Sequence, residues 1–133
     1  MADAVTSQTI QDGERRAVLK FTNISDGTGE SAVVKIDVSA LAANSRGEAC
    51  TEVAIHQIWW QCVGMGVEIL FDATANVPAI ILSENSNGHH DYSSFTAIPN
   101  NAGTGKTGDV LFTTVGATAG DAYTVILDVI KSY

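Results

Sequence analysis

Histidine and carboxylate side chains at close spacing are the usual makings of a metal site, and His89-His90-Asp91, with His56 elsewhere in the chain, supplies those residue types. The spacing works against them. Adjacent residues of an extended chain point to opposite faces, so His89 and His90 are not expected to share one ion, and the segment reads as a solvated polar loop. Gly103-Thr104-Gly105-Lys106-Thr107 has the ending of a phosphate-cradling loop, but Asn100 stands where that motif needs its first glycine. The residues after it, Asp109 to Val115, read as a strand, whereas a phosphate site of this kind needs a helix N-terminus. Nucleophilic catalysis finds no Gly-x-Ser-x-Gly turn, and neither Cys50 nor Cys62 stands in a recognised local signature. Glu30, Asp37, Glu68 and Asp72 are carboxylates that only the fold could pair, and Asp26-Gly27-Thr28-Gly29-Glu30 has too few ligands at the spacing of a calcium loop. The expectation is a chain that is not an enzyme, with no catalytic residue, no cofactor and no metal site.

The dipeptide Trp59-Trp60 is the most informative feature. In a strand one ring faces the core and its neighbour must face away, so one indole needs another explanation. Packing under a second layer is the plain one. The functional ones make Trp59 or Trp60 an aromatic anchor in a protein contact or a platform on which a sugar stacks.

The elements that position these residues are strands. Leu19 and Phe21 alternate with Lys20 and Thr22, and Val34, Ile36 and Val38 stand opposite Lys35 and Asp37 after an Asp26 to Gly29 turn. Leu41 to Ala49 reads as a loop. Glu52 to Val63 is apolar on both faces, with Ile55, Trp59 and Val63 on one and Ile58, Trp60 and Cys62 on the other, as in a central strand. Gly64-Met65-Gly66 predicts a hairpin back into Val67, Ile69 and Phe71, and Pro78 opens an edge strand through Leu82. A short strand is expected around Tyr92 to Ala97, and two more over Gly108 to Val115 and Ala122 to Tyr133. Seven or eight strands with frequent turns and no helical period predict an all-β, antiparallel two-sheet sandwich, jelly-roll-like in preference to an immunoglobulin-like order or a small closed barrel. Leu19, Phe21, Val34, Ile36, Ile55, Val67, Ile69, Phe71, Val125, Leu127 and Val129 are the expected core. Residues 1–13, polar and weakly alternating, are an N-terminal arm or an edge strand; 14–133 form the single domain.

The chain has 133 residues, with seven Lys and Arg against fifteen Asp and Glu, a formal charge of −8. That field repels phosphate backbones and anionic lipid, and neither direct nucleic-acid contact nor a membrane is expected. Met1 to Val5 lacks the basic and apolar regions of a secretory signal, so synthesis in a cytosol and reduced thiols at Cys50 and Cys62 are expected, and Asn23-Ile24-Ser25, though it fits the glycosylation pattern, reads as a strand end.

Met1 to Ile10, the segment Leu19 to Val38 with its Asp26-Gly27-Thr28-Gly29-Glu30-Ser31 turn, Val63-Gly64-Met65-Gly66-Val67 and Gly108 to Thr114 together resemble small virion structural proteins of tailed bacteriophages, marine ones especially. The resemblance spans most of the chain. It implies a capsid cement or decoration protein, made in the host cytoplasm and bound to the capsid exterior, with the major capsid protein or other virion proteins as partners. A homo-oligomer is expected, a trimer favoured. The alternative it leaves open is a tail or fibre module that binds host-surface glycan through Trp59 or Trp60. No binding position is carried over from the family.

Overall fold

The computed structural model describes residues 3–133 and is all-β. Its strands are β1 (Ala4–Asp12), β2 (Arg16–Ile24), β3 (Val33–Ile36), β4 (Glu52–Val63), β5 (Gly66–Phe71), β6 (Val77–Leu82), β7 (Asn87–Asp91), β8 (Val110–Val115) and β9 (Ala122–Ser132). Sheet A has the order β1-β2-β9-β4-β7 and sheet B the order β3-β8-β5-β6, every pair antiparallel. The pairs β2·β9, β3·β8, β4·β7 and β5·β6 are nested, the last strand with the first and so inward, as though one long hairpin had been rolled up. This is the strand order of a jelly roll, with β1 added outside it. Four open edges distinguish it from a closed barrel.

The core lies between the sheets. Phe21 of β2 meets Phe112 of β8 edge to face at 5.3 Å, and Phe112 meets Tyr123 of β9 at 5.8 Å. Phe71, Ile69 and Val67 of β5 face Ile55 and Ile58 of β4 and Val125, Leu127 and Val129 of β9 across the same interior, all fully buried. Of the residues read as core from alternation, only Val34 is not inside; it is 49% exposed.

Val34 is displaced by a β-bulge. Pairing with β8 runs Val34 to Leu111 and then Ile36 to Val110, so Lys35 is the extra residue and alternation is reset there. Lys35, expected on the solvent face, turns inward instead. Its side chain is 4% exposed, with Nζ 2.5 Å from Glu30, itself 6% exposed, and 6.0 Å from the Phe112 ring centroid. The other Glu30 oxygen accepts from Tyr123 Oη at 2.5 Å and from Asn23 Nδ2 at 2.9 Å. Charge pairing and hydrogen bonds from neutral donors together allow that carboxylate to be buried. Asn23 is therefore an interior residue, and its amide is engaged with Asp3 and Glu30.

Two further expectations are corrected. Gly64-Met65-Gly66 is not a hairpin: β4 belongs to sheet A and β5 to sheet B, so the turn carries the chain between layers, and Met65 is buried on the way. Gly64, at φ +78°, is a glycine because a Cβ there would lie 2.1 Å from Asp121 Oδ1. The short strand expected around Tyr92 to Ala97 lies earlier, as β7, and Ser93–Phe95 form a 3-10 turn. β7 is exposed along its length and has no apolar alternation to reveal it.

Residues Ala4–Asp12 of the expected arm form β1 on the edge of sheet A, so its described part is an edge strand. Cys50 and Cys62 are free thiols, both buried, and burial raises both thiol pKa values.

Candidate functional site

A second bulge decides where the two indoles go. In the β4·β9 pairing Ile55 opposes Val129 and Gln57 opposes Asp128, which leaves His56 as the extra residue. Ile55 and Ile58 then share the interior, where strict alternation had set them on opposite faces. Past the bulge, Trp60 opposes core residue Val125 and packs inward; Trp59 opposes Ile126 on the outer face.

Trp60 is held as part of the frame. Its Nε1 donates to Ser86 Oγ at 3.1 Å, and its ring lies against Gly88, where a Cβ would sit 3.1 Å from Cη2. His90 tilts over it at 5.0 Å. These contacts tie Trp60 to β7, and it also borders the depression beside Trp59.

Trp59 is half-buried on the outer face and stacks on His89 of β7, with ring centroids 4.6 Å apart and planes at 9°. A chain of hydrogen bonds fixes that stack. Asp128, buried on β9, accepts from Arg16 Nε at 3.2 Å, from Arg16 Nη2 and from Gln57 Nε2 at 3.1 Å. A carboxylate only accepts, so Gln57 must turn its amide NH₂ toward Asp128 and its Oε1 toward His89. His89 Nε2 lies 3.0 Å from that oxygen and is thereby assigned as the N–H donor. The Asp128 hydrogen bond and charge raise the pKa of Arg16, and His56 Nδ1 lies 3.5 Å from the same carboxylate.

Beside Trp59 two shallow depressions of about 190 Å³ each run along β4 and β9. One is lined by Trp59, Trp60, Gln61, Gly88, Thr124 and Ile126, and the other by Gln61, Val63, Ala122, Tyr123 and Thr124. They adjoin at the cross-strand pair Gln61–Thr124, which lines both, and form one shallow groove in two parts; none of the lining residues carries a charge. The cross-strand row Ile24–Ala122–Val63 ends it, with Ile24 61% and Val63 50% exposed. On a chain of charge −8 this is a neutral, partly apolar strip.

The other sequence candidates are separated. His89 points outward onto Trp59 and His90 inward toward Trp60, the opposite-face arrangement that alternation predicts. Lys106 of the phosphate-loop-like segment reaches Glu52 Oε1 at 2.9 Å and the Asn100 carbonyl at 3.3 Å. Asp72 accepts from Thr107, Asp37 caps the 3-10 turn Val38–Ala40, and Glu30 is committed to the interior. Asp26 accepts from the Thr28 N–H. Sequence reasoning missed Gln61, Val63, Thr124 and Ile126 as groove residues. The available signal was Ile126, an apolar residue on the face opposite Val125 and Leu127. No protein-family model matches the chain, and no curated protein matches it.

Proposed function

We propose that this chain is a non-enzymatic virion structural protein of a tailed bacteriophage, a cement or decoration subunit that docks on the major capsid protein through the outer face of sheet A. The observation that carries the docking face is the uncharged groove beside Trp59 on an otherwise acidic chain. Interfaces concentrate aromatic residues and exclude charge at their centres, and Trp59 sits on a rigid strand pair with its ring orientation already fixed. The bacteriophage assignment rests on the sequence resemblance. The jelly-roll order supports it by analogy, since that architecture serves viral capsid and lectin domains alike.

The glycan-binding alternative is weaker on this geometry. Stacking on a sugar uses an open ring face, and His89, stacked on one face of Trp59, leaves at most the other for it. Quantitative mass spectrometry of purified particles tests the proposal: the chain is expected at a copy number comparable with the capsid lattice, and its absence from particles would refute it.

A further inference from the structure

The open edges of the sandwich are β1 and β7 in sheet A and β3 and β6 in sheet B. Exposed strand edges invite pairing with another chain, and three of these four carry a device against it. β3 has four residues and β7 has five; β6 carries Pro78 and a bulge at Ala79. β1 has nine residues, Ala-Val-Thr-Ser-Gln-Thr-Ile-Gln-Asp, with no proline and no basic residue, and its bulge at Ile10 lies near its end and leaves Ala4 to Thr9 as a regular run. Its first eight residues are exposed, including Val5 at 47% and Ile10 at 53%.

β1 is also held ready. At its start Asp3 accepts from the backbone N–H groups of Asp26 and Gly29 at 3.1 and 3.2 Å. At its end Asp12 accepts from Lys131 Nζ at 2.6 Å and from the Ala42 N–H at 2.8 Å. Lys131 is fully buried there and also donates to the Gly13 and Ala42 carbonyls. A strand fixed at both ends has already lost the conformational freedom that pairing would remove.

We propose that two copies of this chain pair through β1, antiparallel, about a two-fold axis at Ser7, joining their five-stranded sheets edge to edge. A two-fold axis perpendicular to the sheet keeps the outer faces on one side and pairs residues of like face. Ser7 then opposes Ser7, Thr6 opposes Gln8, and Val5 opposes Thr9. All of these precede the bulge at Ile10, where pairing with β2 shifts register. Charge marks this edge as the place where two copies can meet. Two chains at −8 repel at most approaches, but Asp12 is the strand's only charged residue, is already paired with Lys131, and lies outside this register. The inference stands apart from the docking face above, because β1 shares no residue with the groove.

Light scattering on the full chain over a concentration series tests it, with a mass twice 13.9 kDa expected at the upper end. Ser7→Lys sets two ammonium groups against each other across the axis and should weaken the dimer at least about tenfold. Gln61→Lys, in the groove, should leave it intact. Hydrogen exchange on the unmodified chain should show β1 amides gaining protection as concentration rises, a readout that does not depend on how the variants fold. A monomer throughout, whose β1 would be left for a strand of some other protein, overturns the proposal. So does an oligomer, trimer included, that is indifferent to Ser7→Lys or lost with Gln61→Lys, or β1 exchange that does not change with concentration.

Discussion

The Glu30 cluster and the Trp59 groove invert the usual order of a folded protein in opposite directions. The first buries a carboxylate, an ammonium and a phenol between two sheets. The second leaves an indole, Ile126 and Val63 on the outer face of a sheet, where solvent calls for polar groups. A β-bulge precedes the misplaced residue or includes it, at Lys35 in one case and His56 in the other. The lesson is that one extra residue can turn a side chain to the opposite layer, while the surroundings decide whether that is tolerable. Lys35 goes inside because Glu30 meets it; Trp59 stays outside because His89 covers one of its faces.

The largest effect is expected where the cluster is treated as ordinary surface. On the alternating pattern Lys35→Ala would be nearly neutral. In this fold it leaves Glu30 buried without its counter-ion and should cost about 3 kcal/mol, comparable to the 3 to 5 expected for Phe71→Ala in the apolar core. Thermal unfolding of both variants checks this, and a Lys35→Ala protein melting like the parent would return that residue to the surface. Tyr123→Phe removes one donor to Glu30 and should cost about 1 to 3 kcal/mol, measured by denaturant titration.

On the groove side the expected stability effect is smaller. Trp59→Ala loses the His89 stack and part of its burial, and should cost no more than about 1.5 kcal/mol while abolishing attachment to particles. Trp60→Ala should do the reverse, lowering the melting temperature through lost core packing. Comparing melting and particle co-sedimentation for the two variants separates frame from contact.

The smallest effect is an acid one. Burial would raise the Asp3 carboxyl, but hydrogen bonds from Asn23 and from the Asp26 and Gly29 N–H groups outweigh it and hold the group below its ordinary value of 3.8. A carboxyl depressed by folding contributes stability that is present above its unfolded value and is lost as pH falls through its folded one. Asp3→Asn should therefore narrow its stability difference from the parent as pH falls through that range, which melting curves across an acid series would show.

Much of the fold was legible because Leu19 and Phe21, or Val125, Leu127 and Val129, alternate without interruption, and their faces follow from period alone. Trp59 and Trp60 on opposite faces followed in the same way. The bulges were not legible, since nothing in Val-Val-Lys-Ile or Ile-His-Gln-Ile marks the extra residue; they arise from pairing with β8 and β9. β7 was missed because a strand exposed on both faces has no pattern, and the Gly64 turn because a tight turn between strands does not say whether they share a sheet. The groove combines β4, β7 and β9, distant in sequence, so only the strand order reveals it.

The most direct measurement is a reconstruction of the intact particle at a resolution that places side chains. A jelly-roll subunit on the outer capsid, repeated with the lattice, is expected there, with Trp59, Gln61, Val63 and Ile126 against the major capsid protein. Particles without the subunit, or a subunit whose outer sheet A face is turned to solvent while another surface makes the contact, would contradict it.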